Sequence, residues 1–384
     1  MFLLKISCNE WKNESRDKRE LSACQSIGLK TAVLAKGFPS DRDRSETIED
    51  FLVYRYTTKP LGNFVPTIVN KIFSLWLWAS FAHKLSPDII SGHDLGALFI
   101  GWLANFFKGK KAKLVYDSHE FELGRNKKRN KLILFFIKQL ERFLLKRSSF
   151  NIMVNESIAN EVVKIYSLKK KPVVVKNIPN KWKINYDICK TIRNKLEQDV
   201  NKCLIVYHGA IIPNRGLEKL LENIVEIDNI KLLILGSAQN EDYLNSLKDI
   251  INSLKIDDKI LFHEAVPIKD LWKYVGAADI SICPDIPNPP KSYYYMLPNK
   301  FFESIQSETP IISGNFPEII KILNKFKIGK VYDCSDSDSL KKAINEIFDK
   351  KNNSTIIKRN IKRAKDILCW EKEQKILIEA YKKL

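Results

Sequence analysis

Nothing in the 384 residues resembles a membrane span, which requires about 18 to 20 consecutive apolar positions. The longest apolar stretches are Ile72–Ala82, Leu95–Phe107 and Leu132–Ile137. The opening MFLLKISCNEW is too short an apolar run for a secretion signal and lacks its flanks. A transmembrane chain is therefore not expected. Cysteine is equally uninformative as a scaffold: Cys8, Cys24, Cys189, Cys203, Cys283, Cys334 and Cys369 are odd in number, widely spaced and without a Cys-x-x-Cys pair. That argues against a disulfide framework and a structural zinc site, and for a reducing compartment. Internal repeats and low-complexity segments are missing. So are helix-turn-helix, zinc and aromatic RNA-binding motifs, which ranks nucleic acid last among the possible partners.

What is present is a chain with material for packed cores, 45% hydrophobic and 10% aromatic. Its length exceeds what one core usually serves, so two domains are expected. The net charge of +19 would attract anionic lipid headgroups or phosphorylated substrates as well as nucleic acid, or it describes only a solvated lysine-rich surface.

Short β-type runs alternate with helix-length segments throughout. The first half offers Phe2–Ser7, Lys30–Ala35, Asp88–Gly92, Lys113–Ser118, Phe150–Asn155 and Pro172–Lys176. The second offers Cys203–Gly209, Lys231–Gly236, Lys259–Glu264, Asp279–Pro284, Thr309–Gly314 and Ile328–Asp333. Nearly every position in these runs is apolar, so both faces are buried, as in parallel sheets covered by helices. Two doubly wound α/β units follow, with right-handed crossovers and ligand sites at the carboxyl ends of strands. The rhythm breaks between Lys176 and Cys203, where the hinge is placed. The expected division is 1–183, 184–369 and a terminal helix at 370–384.

Three places carry chemistry. In HGAIIPNRGLEKLL (His208–Leu221) a buried strand ends at Gly209, and Arg215-Gly216 leads into a helix. Helix N-termini and a forked guanidinium suit phosphate, although an ordinary strand-loop-helix connection would look the same. In LPNKFFESIQSETP, Pro298 and Asn299 open a helix with Lys300 in its first turn and Glu303 one turn on. A lysine there opposes the helix dipole, so helix stability does not account for it. Glu303 is placed to accept ribose hydroxyls, or else merely complements the dipole. In SGHDLGA and YDSHEFE, His93, Asp94, His119 and Glu120 follow two buried strands, where a histidine can meet a sugar hydroxyl or a leaving phosphate. His83, His208 and His263 read more simply as helix-surface or strand residues. A helix from Lys127 has an apolar stripe, preferred as core, and a basic outer face which, with Trp76 and Trp78, suggests contact with anionic lipid.

The order and spacing of HDLGALFIGWLA, LVYDSHEFE, YHGAIIPNRGLEKLL, LPNKFFESIQSETPIISGNFPEI and CWEKEQKILIEAYKKL resemble the retaining glycosyltransferases of family 4. The resemblance runs through nearly the whole chain. It implies a GT-B fold: two Rossmann-like domains facing a cleft, the N-terminal one on the acceptor side, the C-terminal one binding the nucleotide sugar, and the terminal helix returning to the first. It also implies transfer of a sugar, from a UDP- or GDP-linked donor, to a glycan or lipid-linked acceptor with retention of configuration. The setting would be surface polysaccharide or lipopolysaccharide assembly.

By the same resemblance Arg215 falls on the donor diphosphate; Gly209 and Gly216 in its loop, and Asn299 and Lys300 at the start of the other helix, are donor-binding candidates by their placement, with Lys300 expected to share the diphosphate. Glu303 matches the second glutamate of Glu-x7-Glu, which binds the ribose. Ala265 and Val266 match the nucleobase loop, and His119 the histidine near the donor sugar. His93, Asp94 and Glu120 are acceptor-side candidates. Two positions depart from the family: Ala210 stands where an arginine often follows the glycine, and Tyr295 replaces the first glutamate. Those departures motivate an alternative, a non-catalytic sugar-nucleotide-binding partner subunit. No metal and no cofactor is expected, since no Asp-x-Asp lies in a plausible loop. The expected location is cytoplasmic, peripheral at the inner face of the membrane.

Overall fold

The computed structural model describes residues 1–12, 14–37, 44–62, 64–109, 111–125, 129–196, 202–348 and 353–384. The chain forms two compact units, one made of Met1–Lys176 with Glu373–Leu384, the other of Asn177–Lys372.

The first unit is an eight-stranded sheet in the order β3-β4-β2-β1-β5-β6-β7-β8. Its strands are β1 (Phe2–Ser7), β2 (Lys30–Gly37), β3 (Arg44–Ile48), β4 (Phe51–Thr57), β5 (Ile89–His93), β6 (Lys113–Ser118), β7 (Phe150–Met153) and β8 (Val173–Val174). Every neighbouring pair is parallel except β3 with β4. The expectation of parallel pairing throughout is thus corrected at this edge. There Glu49 and Asp50 form a tight turn, with Glu49 at φ 53°, and β4 alternates buried and accessible positions. Parallel strands fail to alternate because helices cover both faces, and β1 is buried from Leu3 to Ser7. The helix Trp370–Lys382 supplies Leu377 and Tyr381 to this core, with the Tyr381 ring 5.2 Å from Phe150.

The second unit is a six-stranded, wholly parallel sheet in the order β11-β10-β9-β12-β13-β14. These are β9 (Cys203–His208), β10 (Ile230–Leu235), β11 (Ile260–His263), β12 (Ile280–Cys283), β13 (Ile311–Ser313) and β14 (Gly329–Val331). Alternation along β9 divides the core: Cys203, Ile205 and Tyr207 enter a large cluster on one face, Leu204 and Val206 a smaller one on the other. Strand order reverses between β9 and β12, and in the first unit between β1 and β5. In open α/β sheets such reversals leave a crevice at the carboxyl ends of the strands.

Two sequence expectations fail on the helices of the first unit. The helix expected from Lys127 runs from Lys131 to Leu145, capped by the Asn130 side chain on the Leu132 N–H, and Lys127 and Lys128 lie outside the described residues. Its stripe is not core at the amino end: Leu132, Ile133 and Phe136 are exposed, and only near Leu144 does the helix bury itself. Trp78, grouped with Trp76 as interfacial, is buried and donates its indole N–H to Thr57 O at 3.0 Å. A stripe at helical period shows that a helix has an apolar face; it does not show what covers that face.

Candidate functional site

In the second unit the crevice between β9 and β12 gathers the residues singled out in the sequence. Gly209 follows β9 at φ 129°, a conformation that a side chain would strain. Its missing side chain leaves room for Lys300, whose Nζ lies 3.6 Å from where a Cβ would stand and 3.6 Å from the Tyr207 ring centroid. Lys300 is half-buried; loss of water pushes its pKa down to about 8, and the charge of Arg215 acts in the same direction. Arg215 in turn sits 5.4 Å from the Tyr293 ring. Two cations thus face one strand end, each beside an aromatic ring and, among the described residues, neither in an ion pair, and a diphosphate would neutralise both.

Gly216, the N-cap of the helix Leu217–Asn223, is at φ 76°, and a Cβ there would meet Asp285 O at 2.3 Å. Asp285 cannot give way. Its carboxylate accepts from the backbone N–H of Ile286, Asn315 and Cys334, and its own N–H donates to Tyr332 at 2.8 Å. No sequence signal singled out Asp285, yet it braces the loop after β12 against the one bearing Arg215. Glu303 lies one turn along the helix Asn299–Gln306, and His208 Nε2 stands 3.2 Å from its Oε2. A carboxylate only accepts, so the ring nitrogen donates and holds Glu303 in place. His208 is the strand residue expected, the last of β9, and it also positions Glu303. Asn299 is exposed at the start of the same helix, and Tyr295 lies in the short turn before it. Ala265 is exposed after β11, while the Val266 side chain packs against the smaller core.

In the first unit His93 ends β5 and His119 follows β6, and their rings stack with centroids 3.7 Å apart. Their charges are set oppositely. Burial opposes protonation of His93, but the hydrogen bond from Nδ1 to Asp17 at 3.0 Å and the negative charges of Asp17 and Asp94 together outweigh it and raise the pKa to about 9. Burial wins at His119, whose pKa is lowered although Nε2 lies 3.1 Å from Asp117. One ring is an imidazolium, the other a neutral imidazole near pH 7. Asp94, at φ 66°, receives the His119 backbone N–H at 3.2 Å and the Arg125 guanidinium at 2.6 Å. Glu120 is more exposed and lies 3.3 Å from Arg125.

Beneath the pair is a buried network that strand patterning could not reveal. Lys5, in the middle of β1, pairs with Asp117, with Glu20 at 3.0 Å and with Asp17 at 3.3 Å. Arg16 bonds Asp117 at 3.1 Å and Val175 O at 3.0 Å. Burial holds Glu20 up at about 7, whereas Lys5 keeps Asp117 well below the usual carboxylate range. Two sets here have metal-ligand spacing, Asp17-His93-His119 and Asp17-Glu20-Asp117; the Lys5 ammonium already pairs with each acid of the second. A third, Asp285-Asp333-Cys334, includes the bracing carboxylate, which is committed to backbone N–H groups.

Paired doubly wound sheets, each with polar side chains gathered at its strand reversal, define a twin-Rossmann α/β protein. The family model described as Glycosyltransferase Family 4 matches residues 23–180, and that described as Glycosyl transferases group 1 matches 189–364. The chain belongs to the family 4-type glycosyltransferases of GT-B fold. It is similar to an uncharacterized glycosyltransferase of Methanocaldococcus jannaschii, 21% identical over 265 residues, which are 65% of this chain and 64% of that protein. The capsular polysaccharide biosynthesis glycosyltransferase CapM of Staphylococcus aureus is 20% identical over 275 residues, 69% of this chain and 68% of CapM. Among solved structures, Anabaena HepE in complex with UDP superposes with a TM-score of 0.78 at 14% identity, covering 100% of both chains. The chain spans under two thirds of the length of the first two curated relatives, 64% and 60%.

Proposed function

We propose that the protein is a retaining glycosyltransferase that moves a sugar from a UDP- or GDP-linked donor to a glycan or lipid-linked acceptor of a surface polysaccharide or lipopolysaccharide, without a metal. The observation that carries this reading is the crevice at β9 and β12, where Lys300 and Arg215 offer two charges and His208 fixes Glu303 one helical turn away. The cations hold the diphosphate, Glu303 accepts the ribose hydroxyls, and the backbone at Ala265 and Val266 receives the base. UDP in HepE and the capsular role of CapM support the donor class and the setting. His119, held neutral beside a charged His93, is assigned to turnover rather than donor affinity, so His119→Ala should lower kcat more than it raises KM. The test is transfer or donor hydrolysis by the purified protein over a panel of UDP- and GDP-sugars, with and without chelator. Failure with every donor refutes the catalytic reading, and loss of activity with chelator, restored by a divalent ion, refutes the metal-free one.

The acceptor side of this reading is peripheral at an anionic membrane. No helix among the described residues is long and apolar enough to cross one. Yet the helix Thr67–Lys84 exposes Ile68, Ile72 and Trp76 along one face, and Lys131–Leu145 exposes Leu132 and Phe136. Lys71, Lys131, Lys138 and Arg142 are exposed on the same two helices. Apolar insertion combined with surface cations is what anionic bilayers retain, each charge contributing on the order of 1 kcal/mol.

A further inference from the structure

The second unit has another recess, on the side of its sheet away from the donor crevice. Ala277, Ala278 and Asp279 lead into β12 and Pro310 into β13, so the recess opens at the amino ends of the strands, whereas His208 and Cys283 mark the carboxyl ends. It encloses about 570 Å³, within the range of small-molecule sites.

The recess has two chemically different ends. At its rim are Lys190 and Arg193, from the helix Tyr186–Lys195, and Lys358 and Lys362, one turn apart on the helix Asn353–Ile367. Its acids are already engaged. Asp279 takes Arg193 at 2.8 Å and the Leu204 N–H at 2.8 Å, and Glu308 takes Lys365 at 2.8 Å and the Tyr186 hydroxyl. Among the described residues no ion pair engages Lys190 or Lys358. At the inner end is Ser307, 2% exposed, whose Oγ is buried without a hydrogen-bond partner. A buried hydroxyl left unmet costs about 1 to 3 kcal/mol, so a polar ligand atom there is favoured. Ser307 also caps the carboxyl end of the helix Asn299–Gln306, the negative end of its dipole. The helix end favours a hydroxyl over an anion, and the lysines at the rim favour the anion.

We propose that this recess binds a phosphorylated polyol, its phosphate on Lys190 and Lys358 and a hydroxyl on Ser307. The site is separate from the donor crevice and stands whether or not the proposed transfer reaction is correct. The experiment is calorimetry on the full chain with glucose 6-phosphate, mannose 6-phosphate and glycerol 3-phosphate as probes, and with inorganic phosphate and glucose as references. At least one polyol phosphate should bind and should not be displaced by saturating UDP. Both references should bind it at least 10-fold more weakly. The double variant Lys190→Glu, Lys358→Glu, at two exposed positions, should lose roughly 10-fold or more, as expected for charge-assisted hydrogen bonds. Lys300→Ala should bind it as the unaltered protein does. Binding by none of the probes, displacement by UDP, or unchanged affinity in the double variant each overturns the site. Inorganic phosphate binding as tightly as the best probe overturns the polyol end.

Discussion

Lys300 offers a test that a plain deletion would not. Its ammonium has a pKa pushed down to about 8 by burial and by Arg215, so the free protein is about nine-tenths protonated at pH 7 and about one-tenth at pH 9. A diphosphate bound beside it favours the charged form. If only that form binds tightly, UDP affinity should weaken about 10-fold between pH 7 and pH 9, following the fraction protonated. Lys300→Arg stays charged throughout and should show no such loss. Lys300→Ala should bind roughly 10- to 150-fold more weakly at pH 7, the worth of a hydrogen bond to a charged group, with little further change at pH 9. Calorimetry on the three proteins over one pH series cancels the ionisation of UDP itself. Parallel pH profiles in the unaltered protein and Lys300→Arg would refute the assignment of Lys300 to the diphosphate.

Gly216→Ala should cost about 2 to 4 kcal/mol in urea unfolding, because its positive φ and the fixed Asp285 carbonyl leave a methyl no room; a loss under 1 kcal/mol would show that the loop yields. Burial raises the pKa of Glu141 to about 7 even though two tyrosine hydroxyls, Tyr116 and Tyr166, donate to it. An acid whose folded pKa is raised favours the fold fully below its unfolded pKa and loses that contribution as pH rises through 7. Glu141→Gln should therefore raise Tm at pH 8, by an amount equivalent to about 1 to 3 kcal/mol, and leave it nearly unchanged at pH 4. Phe136→Asp with Ile72→Asp should abolish sedimentation with phosphatidylglycerol vesicles, and salt should weaken the binding of the unaltered protein; equal binding to neutral vesicles at high salt would refute the charge component.

Strands such as β1, β6 and β9 were legible because burial on both faces leaves a continuous apolar run that little else produces. The hairpin of β3 and β4 was not legible because β4, next to the edge strand β3, alternates: Leu52 and Tyr54 are accessible between buried Phe51, Val53 and Arg55. In the crevice, Arg215, Lys300 and Glu303 could be read from loop and helix-start chemistry, which is local. His208 could not, since its partner Glu303 is 95 residues away and only folding joins them. The same holds for Lys5, whose acids lie up to 112 residues distant, and for Asp285, whose work is done through backbone N–H groups that carry no sequence signature. Composition showed many lysines but not that a few of them converge on a recess holding one unpartnered serine.

The division of the chain also bears on how the protein is made. The first unit is not complete when its last strand has been synthesised; it still lacks Leu377, which is wholly buried, and Tyr381, which lies against Phe150. Those residues leave the ribosome only after the whole of Asn177–Lys372, a contiguous unit that can close on its own contacts. Nascent chains usually settle from the amino end forward. Here the half synthesised second is the first able to finish, and the half synthesised first waits with an unfilled core until the final helix arrives.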